Sequence, residues 1–328
     1  GPGSARSRWY QTARDRFHPD RLARSRSRPA GCDTPGMRVA ILGFGLIGGS
    51  VARALGAAAD AAAWSVVAWS PGGAGPSRAA EDRVIVHAAL RPEDAIDGAD
   101  IILLAAPPLE ILELLDGLGG RWAAHVAPGA VITDVASTKA ILMDRADALG
   151  LRFVGGHPMA GRETAGYEAS SAELFQGRPW VVVPGRHADR AAVLAVETLA
   201  VACGARPVRL TAREHDDAVA GISHLPLVIA AALVEAVAGD GREDPPGWSL
   251  ARSLAAGGWR DMTRLARGDV TMGAGIAASN ATALAARLHD MQAVLDDWLV
   301  ELGGPDGPDV EAIARRLRAA RERLEEMP

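Results

Sequence analysis

The residue types best suited to acid–base chemistry lie in three short segments of this chain. The segment "DVASTKA", residues 134–140, holds Ser137 and Lys139, and Lys139 is the only lysine in the chain. His157 lies in "GGHPMAG", whose glycines and proline predict a loop, and His224 lies in "SHLP", which we expect to interrupt a helical pattern over residues 214–233. A histidine exchanges a proton near neutral pH, and a compact ammonium fits a crowded pocket where a planar guanidinium does not. The segments therefore predict a proton-transfer site, with a structural histidine and chance survival of one lysine as alternatives.

Two arginines lie further along, in "GGWRDMTR". Arg260 and Arg264 are four residues apart, a spacing that predicts a shared helical face. In a chain this rich in arginine, the alternative interpretation is a solvated surface.

A glycine pattern near the start of the folded sequence predicts a dinucleotide site. The apolar run Val39–Leu42 predicts a buried strand, and Gly43, Gly45 and Gly48 then form G-x-G-x-x-G. Such glycines permit a tight turn, close approach of a pyrophosphate and packing of the next helix. The amides at the start of that helix, from Leu46 and Ile47, would point at the phosphates.

The later strands continue this interpretation. The strand "WSVVAWS" ends at Ser70, where an acid would bind the ribose hydroxyls of NAD. A hydroxyl there, with Arg78 nearby, favours NADP over NAD. The strand in "ADIILLAAPP" ends at Ala106 and Pro107, which we also assign to the cofactor site because ligands bind beyond the carboxyl ends of strands.

Alternating strands and helices predict an α/β fold with a Rossmann-type, doubly wound parallel sheet. Ser137 and Lys139 fall just past one strand end. We expect a dinucleotide-binding domain over residues 37–211 and an all-α domain, for substrate binding and dimerisation, over residues 212–328. Residues 1–36 open with a tag remnant, GPGS, and continue as a basic tail expected to be disordered, with binding of an acidic partner as the alternative.

Composition excludes several other classes. The net charge of −5 gives no case for nucleic acid. The two cysteines, Cys32 and Cys203, fit neither a disulfide framework nor a metal site, so no metal is expected. We see no membrane-spanning run and no convincing signal peptide, and we expect a cytoplasmic location.

Taken together, the motifs resemble the prephenate and arogenate (cyclohexadienyl) dehydrogenase family of tyrosine biosynthesis. The resemblance rests on segments that follow one another from Met37 to about Asn280, the only asparagine in the chain. These segments are "GFGLIGGS", "DVASTK", "GGHPMAGRE", "SHLP" and "GGWRDMTR".

The resemblance implies oxidative decarboxylation of a cyclohexadienol, with hydride transfer to NAD or NADP. His157 would accept the hydroxyl proton, and Ser137 would hydrogen-bond the hydroxyl or help to hold the histidine. Arg264 would bind a substrate carboxylate, and His224 would line the pocket. Lys139 would lie near the nicotinamide ribose or the substrate. Arg260 and Gly257 complete the expected substrate site, and the family implies a homodimer.

Three departures from the family pattern leave the substrate open. Arg162 follows "HPMAG" where the family has threonine, Gly273 stands where a tryptophan is frequent, and Leu227 replaces a second histidine. Prephenate, arogenate and 4-amino-4-deoxyprephenate all fit the same reaction. Rival interpretations are a β-hydroxyacid or imine dehydrogenase, which would need a lysine or aspartate on a second-domain helix, and a non-catalytic dinucleotide-binding protein.

Overall fold

The computed structural model describes residues 36–162, 164–305 and 307–326. The predictions for the basic tail and Cys32 lie outside these residues, as does Glu163.

Residues 37–209 form one mixed sheet with its covering helices. Among the described residues the sheet has eight strands, in the order β3-β2-β1-β4-β5-β6-β7-β8. All neighbouring strands are parallel except β6 and β7, which pair antiparallel. The strands are β1 Met37–Leu42, β2 Trp64–Trp69, β3 His87–Ala88, β4 Ile101–Leu104, β5 Val131–Asp134, β6 Phe153–Pro158, β7 Pro179–Pro184 and β8 Arg206–Arg209.

Helices cover both faces of this sheet, as expected for a doubly wound fold. In β1, Val39 and Ile41 pack into one apolar cluster, and Ala40 and Leu42 pack into the other. This alternation follows from the two-residue period of a strand, and burial on both sides explains why the strand reads as a continuous apolar run. The covering helices are α1 Leu46–Ala57, α2 Ala74–Glu81, α3 Pro92–Ile96, α4 Pro108–Gly119, α5 Ala140–Ala148 and α6 Arg190–Ala202.

From Ala212 onward the regular elements are helical. The first of them begins in a capping box, in which Thr211 and Glu214 each satisfy the other's backbone amide. The longer helices are α7 Ala212–Val219, α8 Leu225–Ala238, α9 Trp248–Leu254, α10 Gly257–Met262, α11 Val270–Ser279, α12 Ala281–Leu302 and α13 Val310–Glu325.

The "SHLP" segment does not interrupt the helix, contrary to the expectation from its sequence. A π-helical turn, Ala220–His224, joins α7 directly to α8, and Pro226 lies in the first turn of α8. A proline there lacks only an amide that has no helical partner in any case. The π-turn instead rotates His224 into the interior, where its side chain is 1% exposed.

The same stretch bears on the expectation that no segment could span a membrane. Within the described residues, Ala212–Ala238 is long and apolar enough to do so by length and composition alone. Only 22% of its most apolar window is buried. The stretch also carries buried polar residues, Asp216 and His224, and the core helix of a folded domain passes the same test.

A matched pair of leucines tests the position of the core. Leu103 in β4 is fully buried, whereas Leu90 is 90% exposed. We expect Leu103→Ala to lower the free energy of unfolding by about 2–5 kcal/mol, because it leaves a cavity between packed layers. Leu90→Ala should change it by less than about 0.5 kcal/mol. Urea denaturation of both variants checks this, and equal effects would contradict the assigned core.

Candidate active site

The glycine turn after β1 has the geometry that a dinucleotide requires. Gly43 has φ +89°, and a Cβ there would lie 2.4 Å from the Ala105 carbonyl oxygen. A Cβ at Gly48 would lie 2.7 Å from the Gly43 oxygen, whereas one at Gly45 would meet nothing within 4 Å. Gly45 also caps α1 without a side-chain hydrogen bond, and the first turn carries no acid. The space beside Gly45, at the start of the helix that begins with Leu46 and Ile47, is therefore open, as a pyrophosphate bound there would require.

The other predicted cofactor residues follow the carboxyl ends of neighbouring strands. Ser70 comes directly after β2, and its carbonyl accepts from the Gly73 amide at 3.1 Å. Ala106 and Pro107 lie between β4 and α4. The guanidinium of Arg78 forms ion pairs at 3.4 Å with both Glu81 and Asp82.

Lys139 lies inside the molecule, and its partner is Asp134. The side chains are both 0% exposed, and the ammonium pairs with the carboxylate. Asp134 also accepts from the amides of Ala136 and Gly156, each at 2.9 Å. The expected position near the nicotinamide ribose or the substrate stays a prediction. Burial lowers the pKa of Lys139, and the charge of Asp134 opposes that effect.

The tight packing around this lysine explains why an ammonium suits the position. A Cβ at Gly155 would lie 3.0 Å from Cδ of Lys139 and 2.9 Å from the sulfur of Met143. The larger, planar guanidinium of an arginine would not fit the same space without displacing the strand.

A carboxylate from the helical half caps the helix that follows Lys139. Asp216 accepts from the Lys139 amide through Oδ1 and from the Ala140 amide through Oδ2, both at 2.8 Å. Burial acts to raise the pKa of Asp216, but hydrogen bonds from His215 and the two amides outweigh it and hold the pKa below its usual range. The first turn of α5 is thus capped by a residue 76 positions away from Ala140.

His157 belongs to a strand, whereas its sequence predicted a loop. It lies in β6 and pairs with Val181 of β7. Its Nδ1 lies 2.8 Å from Nε2 of His215, whose Nδ1 lies 2.7 Å from Oδ1 of Asp216. Burial lowers the pKa of His157 well below its ordinary value, and His215, Lys139 and His224 lower it further by charge.

His224 and Ser137 present polar atoms with no established partner. Asn280 donates through Nδ2 to the Asp216 carbonyl at 2.9 Å, and the same nitrogen lies 3.1 Å from Nδ1 of His224. In the neutral ring this places the proton on Nε2. That Nε2 lies near the Ser137 backbone without a well-formed hydrogen bond. Burial, the largest cause, lowers the pKa of His224, which favours the neutral ring.

The hydroxyl of Ser137 is also buried and has no hydrogen-bond partner among the residues that the structure describes. A buried hydroxyl and a buried ring N–H, on neighbouring segments, can both donate to an oxygen of a bound small molecule. We infer that these atoms belong to the substrate pocket.

The predicted arginines do not share one helical face. Arg260 lies in α10, which ends at Met262, and Arg264 begins a separate 3₁₀ turn, Arg264–Arg267. Both side chains are exposed, and Gly257 begins α10 in open surroundings. The structure thus gathers His157, Ser137, Lys139 and His224, and leaves Arg260 and Arg264 of the "GGWRDMTR" segment exposed on the helical half.

His215 and Asp216 are site residues that the sequence analysis missed. Their signal was a histidine next to an aspartate in "EHDD", at the start of a helix. On a helix, adjacent side chains point to different faces, so the pair gave no reason to expect a shared contact.

A glycine-rich dinucleotide turn, a neighbouring strand end with a buried ion pair, and a neutral histidine define a nicotinamide-dinucleotide-dependent dehydrogenase. The comparisons with known proteins make the assignment more specific. The nucleotide-binding domain of prephenate dehydrogenase matches residues 73–209, and the prephenate dehydrogenase dimerisation domain matches residues 211–306. The chain belongs to the prephenate dehydrogenase family.

Individual relatives agree with this membership. The cyclohexadienyl dehydrogenase of Zymomonas mobilis is 31% identical, over 82% of this chain and 89% of the relative. The prephenate dehydrogenase of Lactococcus lactis is 29% identical, over 88% of this chain and 77% of the relative. That of Bacillus subtilis is 30% identical over 70% of this chain, which spans only 60% of that relative.

Solved structures give the same fold. Synechocystis arogenate dehydrogenase has a TM-score of 0.71 at 30% identity, over 88% of this chain and all of that one. A prephenate dehydrogenase from Aquifex aeolicus, in complex with hydroxyphenyl propionate and NAD⁺, has a TM-score of 0.77 at 24% identity. It covers 91% of this chain and 99% of that one.

Two glycines test the dinucleotide turn. Gly45→Ala should leave the free energy of unfolding nearly unchanged, because its Cβ meets nothing, but should weaken dinucleotide binding by filling the space beside the phosphates. Gly48→Ala should lower the free energy of unfolding by about 1–3 kcal/mol, because its Cβ meets a backbone oxygen. Thermal unfolding and calorimetric titration with NAD⁺ and NADP⁺ measure both effects. Undiminished binding by Gly45→Ala would contradict the assignment.

Proposed function

We propose that the protein converts prephenate to 4-hydroxyphenylpyruvate by oxidative decarboxylation, with hydride transfer to NAD⁺ or NADP⁺, in tyrosine biosynthesis. The observation that carries the proposal is His157, a histidine with a strongly lowered pKa at the carboxyl edge of a dinucleotide-binding sheet. A neutral imidazole in this position can act as a general base.

The proposed reaction balances as follows. The carbon bearing the ring hydroxyl loses a hydride, and the hydroxyl proton passes to His157. The ring carboxylate leaves as carbon dioxide, and its bonding electrons complete the aromatic ring. The resulting phenolate oxygen takes the proton back from His157, which gives the 4-hydroxyphenyl product and restores the neutral base. The dinucleotide, held at Gly43, Gly45 and Gly48, would supply the hydride acceptor. Aromatisation provides much of the driving force, so the protein has mainly to position groups and place charges.

The proposed roles of the remaining residues follow from their contacts. The Ser137 hydroxyl and the His224 N–H donate to substrate oxygens, because both are buried and available. Lys139 supports catalysis through Asp134, which holds the Gly156 amide immediately before His157. Arg264 is proposed to bind a substrate carboxylate, and Arg260 and Gly257 to complete the substrate site; the support for these three roles is the family resemblance and not a contact in the structure.

For the dinucleotide, we propose NADP, because a hydroxyl, Ser70, follows β2. No acid ends β2, and an acid there is what favours NAD. The ion pairs of Arg78 with Glu81 and Asp82 compete with a 2′-phosphate, so the hydroxyl of Ser70 is the stronger support.

Arogenate is the second candidate substrate, and 4-amino-4-deoxyprephenate is a third. The Synechocystis structure of 30% identity is described as an arogenate dehydrogenase. A relative from Streptomyces niveus, 31% identical over 69% of this chain and 63% of its own length, is described as a probable prephenate dehydrogenase. Arg162, Leu227 and Gly273 mark the positions at which this chain departs from the family pattern.

We further propose a cytoplasmic homodimer, with a dinucleotide-binding domain over residues 37–211 and a helical domain over residues 212–328. Many large apolar side chains of the helical half are exposed in the single chain, which supports burial against a second copy. They include Leu250, Leu254, Leu299 and Val300.

The direct test is reduction of NAD⁺ and of NADP⁺ with prephenate and with arogenate, followed by absorbance of the reduced cofactor. We expect turnover with prephenate and a higher kcat/KM with NADP⁺. Turnover with arogenate but not with prephenate would contradict prephenate as the substrate and support arogenate instead. Silence in all four combinations, with dinucleotide binding intact, would contradict both.

The pKa of His157 fixes the expected pH dependence. The base must be neutral, and a lowered pKa keeps it neutral to lower pH. We therefore expect kcat/KM to remain level as the pH falls from neutrality to 6.5, the ordinary histidine pKa, and to fall only below it. His157→Asn should reduce kcat by about 10²- to 10⁴-fold, whereas His125→Asn, at an exposed position, should not. A decline centred at or above pH 6.5 would argue against this base.

A further inference from the structure

The hydrogen-bond chain behind His157 has a direction that can be read from its last member. Asp216 accepts from two backbone amides, which can only donate, so its carboxylate is the acceptor end of the chain. Nδ1 of His215, 2.7 Å from that carboxylate, must therefore carry a proton.

The protonation of the other ring nitrogens in the chain of hydrogen bonds follows from that of His215 Nδ1. A neutral His215 that is protonated on Nδ1 has a lone pair on Nε2. That nitrogen lies 2.8 Å from Nδ1 of His157, so His157 donates through Nδ1 and has its own lone pair on Nε2. The opposite tautomer of His157 would place two lone pairs against each other.

We propose that His215 and Asp216 are positioning residues that hold His157 in the tautomer protonated on Nδ1, with Nε2 free as the base. The base role itself rests on the function proposed above. The chain also accommodates the proton that is taken up. A protonated His157 still donates through Nδ1, and its positive charge lies on a hydrogen-bonded path that ends at the Asp216 carboxylate.

Burial makes this arrangement effective. His215 is 1% exposed and Asp216 is 5% exposed, so water does not readily replace either contact. The titratable groups around His157 are His215, Lys139 and His224, and a positive charge on any of them would disfavour one on the His157 ring. Because Nε2 of His215 is a fixed acceptor beside Nδ1 of His157, it favours the neutral tautomer of His157 that is protonated on Nδ1.

Replacement of His215 can distinguish the positioning of His157 from a contribution to folding stability. Asp216 also caps α5, so its replacement would change stability as well as orientation. Asparagine at position 215 can still donate to Asp216 but is too short to reach His157. Glutamine places an amide oxygen near the original Nε2 position, where it can accept from His157.

The experiment uses the full-length protein labelled with ¹⁵N-histidine. We expect the His157 ring, assigned by its loss in His157→Asn, to show a protonated Nδ1 and an unprotonated Nε2. His215→Asn should abolish this pattern, and His215→Gln should retain it. A wild-type His157 protonated on Nε2 would overturn the proposal without any variant.

Kinetics supply the second readout. His215→Asn should lower kcat by about 10- to 100-fold with little change in KM, and His215→Gln should recover most of that loss. Asp217→Asn, at the exposed neighbouring position, is the control and should behave as wild type. Equal activity of the Asn and Gln variants, with equal spectra, would contradict the proposal. The spectra need no turnover, so failure of the proposed reaction would be recognised separately.

Discussion

The carboxylate of Asp216 is the interaction on which the arrangement of the site depends. This side chain belongs to the helical half of the chain. It caps the first turn of α5 and fixes the orientation of His215. Hydrogen bonds to a charged group stabilise by about 1.5–3 kcal/mol each, and an uncompensated buried carboxylate costs more. The sheet and the helical half are therefore held in one relative orientation. The hydrogen bond from Ser279 to Thr138, at 2.9 Å, stabilises the same orientation.

The buried pair of Asp134 and Lys139 performs a related task within the sheet. Desolvation offsets much of the attraction in such a pair, so its contribution to stability alone is small. Its geometric effect is larger, because Asp134 also holds the amides of Ala136 and Gly156. These amides flank the two segments that carry Ser137 and His157. A single buried charge pair thus fixes the spacing between the two segments that we propose to be catalytic.

Much of the fold followed from local patterns, whereas much of the site did not. The apolar runs and the glycine turn predicted the doubly wound sheet because both of its faces are buried. The antiparallel pairing that makes His157 part of β6 depends on β7, some 20 residues later, and has no local signal. The π-turn at His224 and the break between Arg260 and Arg264 also depend on packing that spacing does not encode. His215 and Asp216 were missed because their contacts join residues far apart in the sequence.

The only lysine and the only asparagine in the chain meet on the same network. The Lys139 amide donates to the Asp216 side chain, and Asn280 donates to the Asp216 carbonyl. Elsewhere the cations are arginines, most of them on the surface, where either basic residue is well solvated. The side chain of Lys139 instead pairs with Asp134 in a fully buried space, where the larger, planar guanidinium of an arginine would not fit. Since His157 comes from the sheet, and His215 and Asp216 come from the helical half, the proposed base is oriented only when the two are docked.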